Sequence, residues 1–500
     1  MSITACETAE KAQQVLFRVE RRDVTVDFAG GDIVTDTGLL AVRKLDRELG
    51  VLAEAAARLP DSRSQLFVVH DAERLLTQQV YQLLGGYFDA NDAKFLRIDP
   101  LFQTVVDQCP DPERPLASNS TLSRFFYGYT RRQQQLPVES RTIEQECRAA
   151  QCKRIRELNG YLVDLFIRTR QQPPQRIVLD LDATDDPAHG KQQLTLWHGY
   201  YDQQQYLTQL VFEGESGFPL GAWLEVGTAH ASWGAVEALG EIVTKIRAVW
   251  PDVEIVVRAD TGFAVPEVYA FCETERLNYV IGYATNKVLV SHTEPWLNYA
   301  KAHAELHGEA CCMFTEVRNY QAGTWDRPRR IVAKCEVTAQ GGPNRRFVVT
   351  NLSETPEEIY HGFYVQRGDT PERGIQELKH GLKIDRLSAH RFFANAFILQ
   401  CHVLAYALWV LFQEANADVP EVAQHQLETV RSRLFKIGAV VETSVRRVWF
   451  HLSSSWPGRE LLGRVCQAVE RYAASLGRLW PDRLQEGLQI ELGCPVTIIK

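Results

Sequence analysis

IVLDLDATDD (residues 177–186) and VEIVVRADTGF (residues 253–263) decide the fold. Each is a β-branched run that ends in acidic and turn-forming residues, the pattern of a strand whose carboxyl end opens into a loop. Alternation along a strand puts Asp180 and Asp182 on one face, and the second run leads directly to Asp260, with Thr261-Gly262 as its turn. Turns favour Asp on their own account, so one instance says little. Two instances on strands expected to be neighbours say more, because open mixed sheets gather ligands at strand ends.

Working outward, LTLWHGYY (194–201), QYLTQLVFE (205–213) and FPLGAWLEV (218–226) read as further strands. WGAVEALGEIVTKIRAVW (233–250) reads as an amphipathic helix that stops at Pro251. A helix near 265–276 and a strand NYVIGYA (278–284) continue the alternation. The expected class is therefore α/β, a mixed sheet flanked by helices. CCMFTEVRNY, RRIVAKCEV and RRFVVTNLS break the pattern between 286 and 355 and suggest an inserted, β-rich segment. Helices resume near Pro371, and KIGAVVETSVRRVWFHLS (436–453) reads as a hairpin. Upstream, GLLAVRKLDRELGVLAEAAARLP (38–60) and DAERLLTQQVYQLLGGYF (71–88) have helical spacing, and Pro173-Pro174 marks a boundary. The expected division is a mainly helical region over 1–170, then a first part of the α/β domain over 171–285 and the insertion over 286–355. A second part of that domain over 356–455 and a helical tail over 456–500 complete it.

At 500 residues the chain is long enough for several domains, and 45% hydrophobic with 24% charged residues excludes disorder as its main state. Its net charge of −8 means that any nucleic-acid contact must come from local patches. Residues 321–450 carry 17 basic against 14 acidic side chains, so the later half is the better candidate. Eleven cysteines without a CxxC motif suggest neither a disulfide framework nor a zinc site. MSITACETAEKAQQ lacks the apolar core of an export signal. Phe392–Phe412 is uncharged and long enough for a membrane span, but Asn395, Gln400 and His402 interrupt it, so a core helix and no membrane association are expected.

A third carboxylate comes from YVQRGDTPERGIQELK (364–379), where Thr370 and Pro371 open a helix and Glu372 falls in its first turn. The helix dipole alone favours Glu there. However, Glu372, Gln376 and Lys379 share a face at i, i+4 and i+7, with Tyr364 and Arg367 just upstream. Three carboxylates from two strands and a helix suit a two-metal phosphoryl-transfer site, because they offer hard oxygen ligands and leave open positions. Tyr364, Arg367 and Lys379 would hold phosphates. Two weaker DNA contacts are expected. A helix capped by Ser118 or Asn119 presents Thr121 and Arg124, either to a major groove or simply to solvent. Trp325 in GTWDRPRR, beside Arg327, Arg329 and Arg330, either stacks on an unpaired base or caps a β core. His189 and His198 have no paired ligand at metal-binding spacing.

This order of strands, carboxylates, β insertion and Glu helix resembles the ribonuclease H-like core of DDE transposases, and Tyr364, Arg367, Glu372 and Lys379 resemble the YREK signature. More closely, the chain resembles insertion-sequence family thirteen-eighty. FAGGDIVTDTGLLAVRKLD (28–46), DPLFQ (99–103), RPLASNSTLSRF (114–125), VLDLDATDDPAHG (178–190), GYYD (199–202), VVRADTGF (256–263) and FKIGAVV (435–441) carry that likeness. The resemblance implies Asp182 as the first catalytic acid, with Asp180 the alternative, Asp260 as the second and Glu372 as the third. Four residues separate Arg367 from Glu372 where the signature has three, and Glu377 stays open as an alternative acid. It further implies Mg²⁺, with Mn²⁺ as a substitute, cleavage at terminal inverted repeats and strand transfer into target DNA. A homodimer on DNA and a bacterial, nucleoid-associated cytoplasmic setting are also implied. The competing readings are a related nuclease without joining and a DNA-binding relic that has lost catalysis.

Overall fold

The computed structural model describes residues 14–26, 29–61, 63, 66, 68–128, 141–199, 202–338, 342–368, 370–477 and 496–497. In chain order its strands are β1 (Gln14–Val19), β2 (Arg22–Val26), β3 (Ile33–Val34), β4 (Arg176–Pro187), β5 (Leu196–His198), β6 (Gln203–Glu213), β7 (Pro219–Glu225) and β8 (Glu254–Ala259). They continue with β9 (Asn278–Tyr283), β10 (Cys311–Tyr320), β11 (Arg329–Val337), β12 (Pro343–Thr350), β13 (Ala439–Thr443), β14 (Val448–Leu452) and β15 (Val496–Thr497).

The main sheet has the order β10-β11-β12-β9-β8-β4-β6-β5, with β7 also paired to β6. β4, β8 and β9 run parallel at its centre, and the other pairings are antiparallel. β8 is buried on both faces from Ile255 onward, which explains its unbroken apolar run. Helices Ala235–Val249 and Pro266–Thr274 make the crossovers between β7, β8 and β9, as the sequence suggests.

The segment expected as a β insertion begins instead with a helix, Lys287–His307, which tolerates Pro295. Its three strands do not form a separate unit, because β12 pairs with β9 and extends the main sheet.

Phe392–Ala415 is long and apolar enough to cross a membrane, but the window that meets that test is wholly buried inside the protein. It packs against the helix Arg141–Thr169, the helix Ala72–Gly85 and β7. Asn395 and Gln400 hydrogen-bond to backbone. Asn395 accepts from the Ala389 amide and donates to the Ala389 carbonyl, both at 2.8 Å, and Gln400 donates to the Ala222 carbonyl at 2.7 Å. Asn159 also bonds both the N–H and C=O of Ala222, so two helices cover the outer edge of β7.

In the N-terminal region the helices Leu39–Leu49 and Val51–Ala57 are divided by Gly50 in the left-handed region and preceded by the β1–β2 hairpin. The predicted 436–453 hairpin forms as β13–β14, but it pairs with β3 rather than with the catalytic sheet. Two of the quoted sequence motifs thus hold each other. Gly38 approaches so closely that a Cβ there would lie 1.8 Å from the Leu434 carbonyl oxygen. The tail is helical over Arg459–Gly477, and residues 478–495 of the expected helical tail lie outside the described residues.

Candidate active site

Parallel pairing of β4 with β8 sets Asp180 beside Arg258 and Leu181 beside Ala259, so Asp182 and Asp260 emerge together where β8 ends. Asp260 turns its chain by accepting from the Gly262 amide at 2.8 Å, and Asp182 accepts from the Ala183 amide at 2.8 Å. The segment Glu358–Gly368, a π-helical turn followed by a 3₁₀ turn, brings a third side chain to them. Arg367 Nη2 lies 2.8 Å from Asp182 Oδ2 and 3.8 Å from Asp260 Oδ2. Tyr364 lies beside the same turn: a Cβ on Gly282 would meet its hydroxyl at 2.5 Å and the Thr261 amide at 3.0 Å. Burial pushes the Asp182 carboxyl up to about 6 against the pull of Arg367, and the neighbouring Asp260 charge adds to the rise.

Asp180 does something else. Its two oxygens take a forked contact from Arg258 at 2.6 and 2.7 Å, both side chains are almost wholly buried, and Arg258 also donates to the Phe363 carbonyl at 2.8 Å. That pair anchors the segment carrying Tyr364 and Arg367.

Glu372 is exposed on the helix Thr370–Gln376, which packs against β4. Among the described residues no three His, Cys, Asp or Glu side chains converge closely enough to hold a metal, so Glu372 is not gathered with the aspartates. Glu377 is buried and accepts from the Leu427 amide at 3.1 and 3.2 Å, which gives it a core partner. Lys379 Nζ meets Asp185 Oδ1 at 2.8 Å and ties the π-helical turn Glu377–Gly381 to β4. Burial raises the Asp185 carboxyl, but the hydrogen bond and charge of Lys379 hold it below its ordinary value. Next to it Asp186 is buried with neither oxygen hydrogen-bonded, and burial plus the charge of Asp385 push its carboxyl well up. Neither partner role of Asp185 nor the burial of Asp186 is signalled by their acidic run alone.

Of the two places left open for Trp325, the structure shows the β core. Trp325 is 5% exposed and packs edge-on against Tyr269, Tyr283 and Tyr320, with ring centroids 5.3–5.6 Å apart. It caps a β core because aromatic rings from three separate elements converge on it. Its arginines are engaged as well. Arg329 pairs with Glu273 and Asp326, Arg330 with Glu316 and the Leu352 and Glu354 carbonyls, and Arg327 with Asp326 and Glu273. Only Arg327 of the three is largely exposed. Thr121 and Arg124 lie on the helix Asn119–Tyr127, half-buried and bonded to each other at 3.0 Å. His189 Nε2 donates to the Asp385 carbonyl at 2.9 Å.

Two carboxylates at the ends of neighbouring parallel strands share one arginine, at the place where open α/β sheets gather ligands. Both aspartates offer oxygen, the donor that a hard divalent cation prefers. The sequence matches the family described as Transposase DDE domain group 1 over residues 17–474, and the chain belongs to that family of DNA-cutting transposases. Among solved structures, a cryo-EM structure of the piggyBac transposase synaptic complex with hairpin DNA is similar at 10% identity. That match covers 92% of this chain and 86% of that one, with a TM-score of 0.42. No curated protein matches.

Proposed function

We propose that the chain is a transposase of the insertion-sequence type that cleaves DNA at terminal inverted repeats and joins the freed 3′-hydroxyl to target DNA. The observation that carries this reading is the convergence of Asp182, Asp260 and Arg367 at the ends of β4 and β8. Within the family, the order β7-β6-β4-β8-β9 supports a ribonuclease H-like core, with β10 to β12 as an extension beyond it.

Asp182 and Asp260 would hold Mg²⁺, or Mn²⁺ in its place, and Glu372 would complete the set. The bound ions would supply charge for the attacking and leaving oxygens of the phosphoryl group. Arg367, which meets Asp182, would hold a phosphate oxygen, since a guanidinium presents several donors in a fixed plane. Tyr364 lies beside the Asp260 turn, and Lys379, paired with Asp185 on β4, would supply a point charge. Two DNA ends must be handled together, which favours a homodimer on DNA in the cytoplasm of a bacterium.

The test is cleavage of a labelled duplex carrying the flanking inverted repeat, with Mg²⁺, by the parent chain and by Asp182→Ala, Asp260→Ala and Glu372→Ala. Loss in all three with binding retained is expected. Cleavage by any of them removes that residue from the triad, cleavage without joining indicates a nuclease, and binding without cleavage by the parent indicates a relic.

A further inference from the structure

β1 and β2 form an amphipathic ribbon. Their register pairs Phe17 with Val24, Arg18 with Asp23 and Val19 with Arg22, and a bulge sets Leu16 beside Phe17 opposite Val24. Alternation therefore gathers Leu16, Phe17, Val19, Val24 and Val26 on one face. The other face carries Arg18, Asp23 and Thr25, with Arg18 Nε donating to Asp23 Oδ1 at 2.7 Å, and Val15 is its one apolar side chain among the described residues.

Among the described residues the apolar face is left open. Leu16 is 52% exposed, Phe17 59%, Val19 52% and Val26 44%, and none of the five apolar side chains joins the hydrophobic core. A two-stranded hairpin is marginal in water by itself and becomes stable when another surface covers its apolar face. The ribbon also stands apart from the body. It joins β3 through Gly30 and Gly31, where Gly31 takes φ +79° and a Cβ would meet nothing within 4 Å, and β3 then pairs with β13.

We infer that this ribbon is a dimerisation arm whose apolar face packs on the same face of a second copy of the chain. The surface is self-complementary: a two-fold axis sets one apolar ribbon on another of equal area and equal twist, as two sheets pack face to face. The open face offers about 400 Å² of apolar side chain per copy, and with the Arg22 stem beside Val19 two copies would bury about 1,000 Å² in all, the lower bound of a specific interface. An area of that size predicts a concentration-dependent dimer rather than an obligate one. Arg22 is the one charge among these paired residues on the face, which leaves a phosphate backbone little to meet. The inference deepens the homodimer of the transposase reading and rests on that reading for the need to hold two copies together.

The experiment is sedimentation velocity of the full chain without DNA across a concentration series. The parent should pass from monomer to dimer as concentration rises. Phe17→Asp and Val19→Asp should each weaken the dimer at least about tenfold, and Thr25→Asp, the same charge on the polar face, should match the parent. Thermal unfolding of all three should follow the parent, because the arm lies outside the core. Independently of any charge change, p-benzoylphenylalanine at position 17 should cross-link the arms of two copies on illumination. A parent that stays monomeric throughout, or a dimer that Phe17→Asp leaves unchanged, overturns the inference. Cross-links confined to one chain overturn it as well and assign the apolar face to the chain's own body. All three outcomes leave the transposase reading to its cleavage assay. A dimer lost in Phe17→Asp, from a parent that neither binds nor cleaves the inverted repeat, keeps the arm and removes the transposase reading.

Discussion

Asp180 and Asp182 stand two residues apart on β4, face the same way, and each meets an arginine. The first pair is sealed: 0% of the Asp180 side chain and 2% of Arg258 are exposed. The second pair opens to solvent, with 17% of Asp182 and 19% of Arg367 exposed and Asp260 more open still. A sealed ion pair satisfies its own charges and fixes the backbone around it. An open pair at a strand end has oxygens left to offer, and a second carboxylate beside it keeps the local charge negative. What separates scaffold from site on one strand is therefore depth, because the residue type and the face are the same.

The largest effect expected from this comparison is on stability at the sealed pair. Asp180→Ala or Arg258→Ala leaves an uncompensated buried charge and should cost about 3–5 kcal/mol in urea or thermal unfolding. Asp182→Ala removes a carboxylate whose ionised form burial already disfavours, so its stability should stay within about 1 kcal/mol of the parent. Equal destabilisation by the two aspartate changes would erase the distinction. The next effect is on chemistry. Asp182→Asn and Asp260→Asn should fold normally, bind DNA and cleave it at least about a hundredfold more slowly, the scale seen when one group that stabilises transition-state charge is removed. Single-turnover cleavage rates decide this.

The strands and both aspartates were legible because each strand ends in a carboxylate and a turn, and alternation is a local property. Depth is not local. Asp180 is sealed because β8 places Arg258 beside it and the segment Glu358–Tyr364 closes over both, which no spacing within IVLDLDATDD reveals. GTWDRPRR misled for the same reason. Its arginines and tryptophan read as an exposed nucleic-acid surface, but Glu273, Glu316 and three tyrosines that engage them come from elements up to sixty residues away. The helix Lys287–His307 was hidden by Pro295 and by β-branched residues at its start.

Glu377 sharpens the comparison from the helix side, since it was the alternative third acid and is now a core group. Burial lifts its carboxyl to about 7, against the Leu427 amide that favours the ionised form. Between an unfolded value of about 4.3 and that folded value, the folded chain holds a proton the unfolded chain has released. Stability should therefore fall as pH rises from about 4.3 through about 7, by up to about 4 kcal/mol at pH 8. Glu377→Gln should flatten that slope, gaining on the parent at pH 8 and matching it near pH 4. His402, which burial lowers to about 4, contributes the opposite slope between about 6.5 and 4, but it is common to both proteins and cancels in their difference. Identical pH profiles for the two would mean that Glu377 is not held in the core.

The smallest stability effect is expected where Lys379 meets Asp185, a half-open pair that resembles neither extreme. Asp185→Asn should change stability by less than about 1 kcal/mol, because a partly exposed pair gains little over solvation. The two possible roles of Lys379 part company in DNA binding. If its charge holds a phosphate, Lys379→Ala weakens binding to all duplexes and lowers the salt dependence by about one counterion, while Asp185→Asn, which frees the same charge, does not weaken it. If Lys379 only ties its helix to β4, both variants loosen that helix equally and the salt dependence stays at the parent value. Affinity measured across a salt series for the three proteins separates these outcomes, and a parent-like slope in Lys379→Ala would place this pair with Asp180 and Arg258 as scaffold.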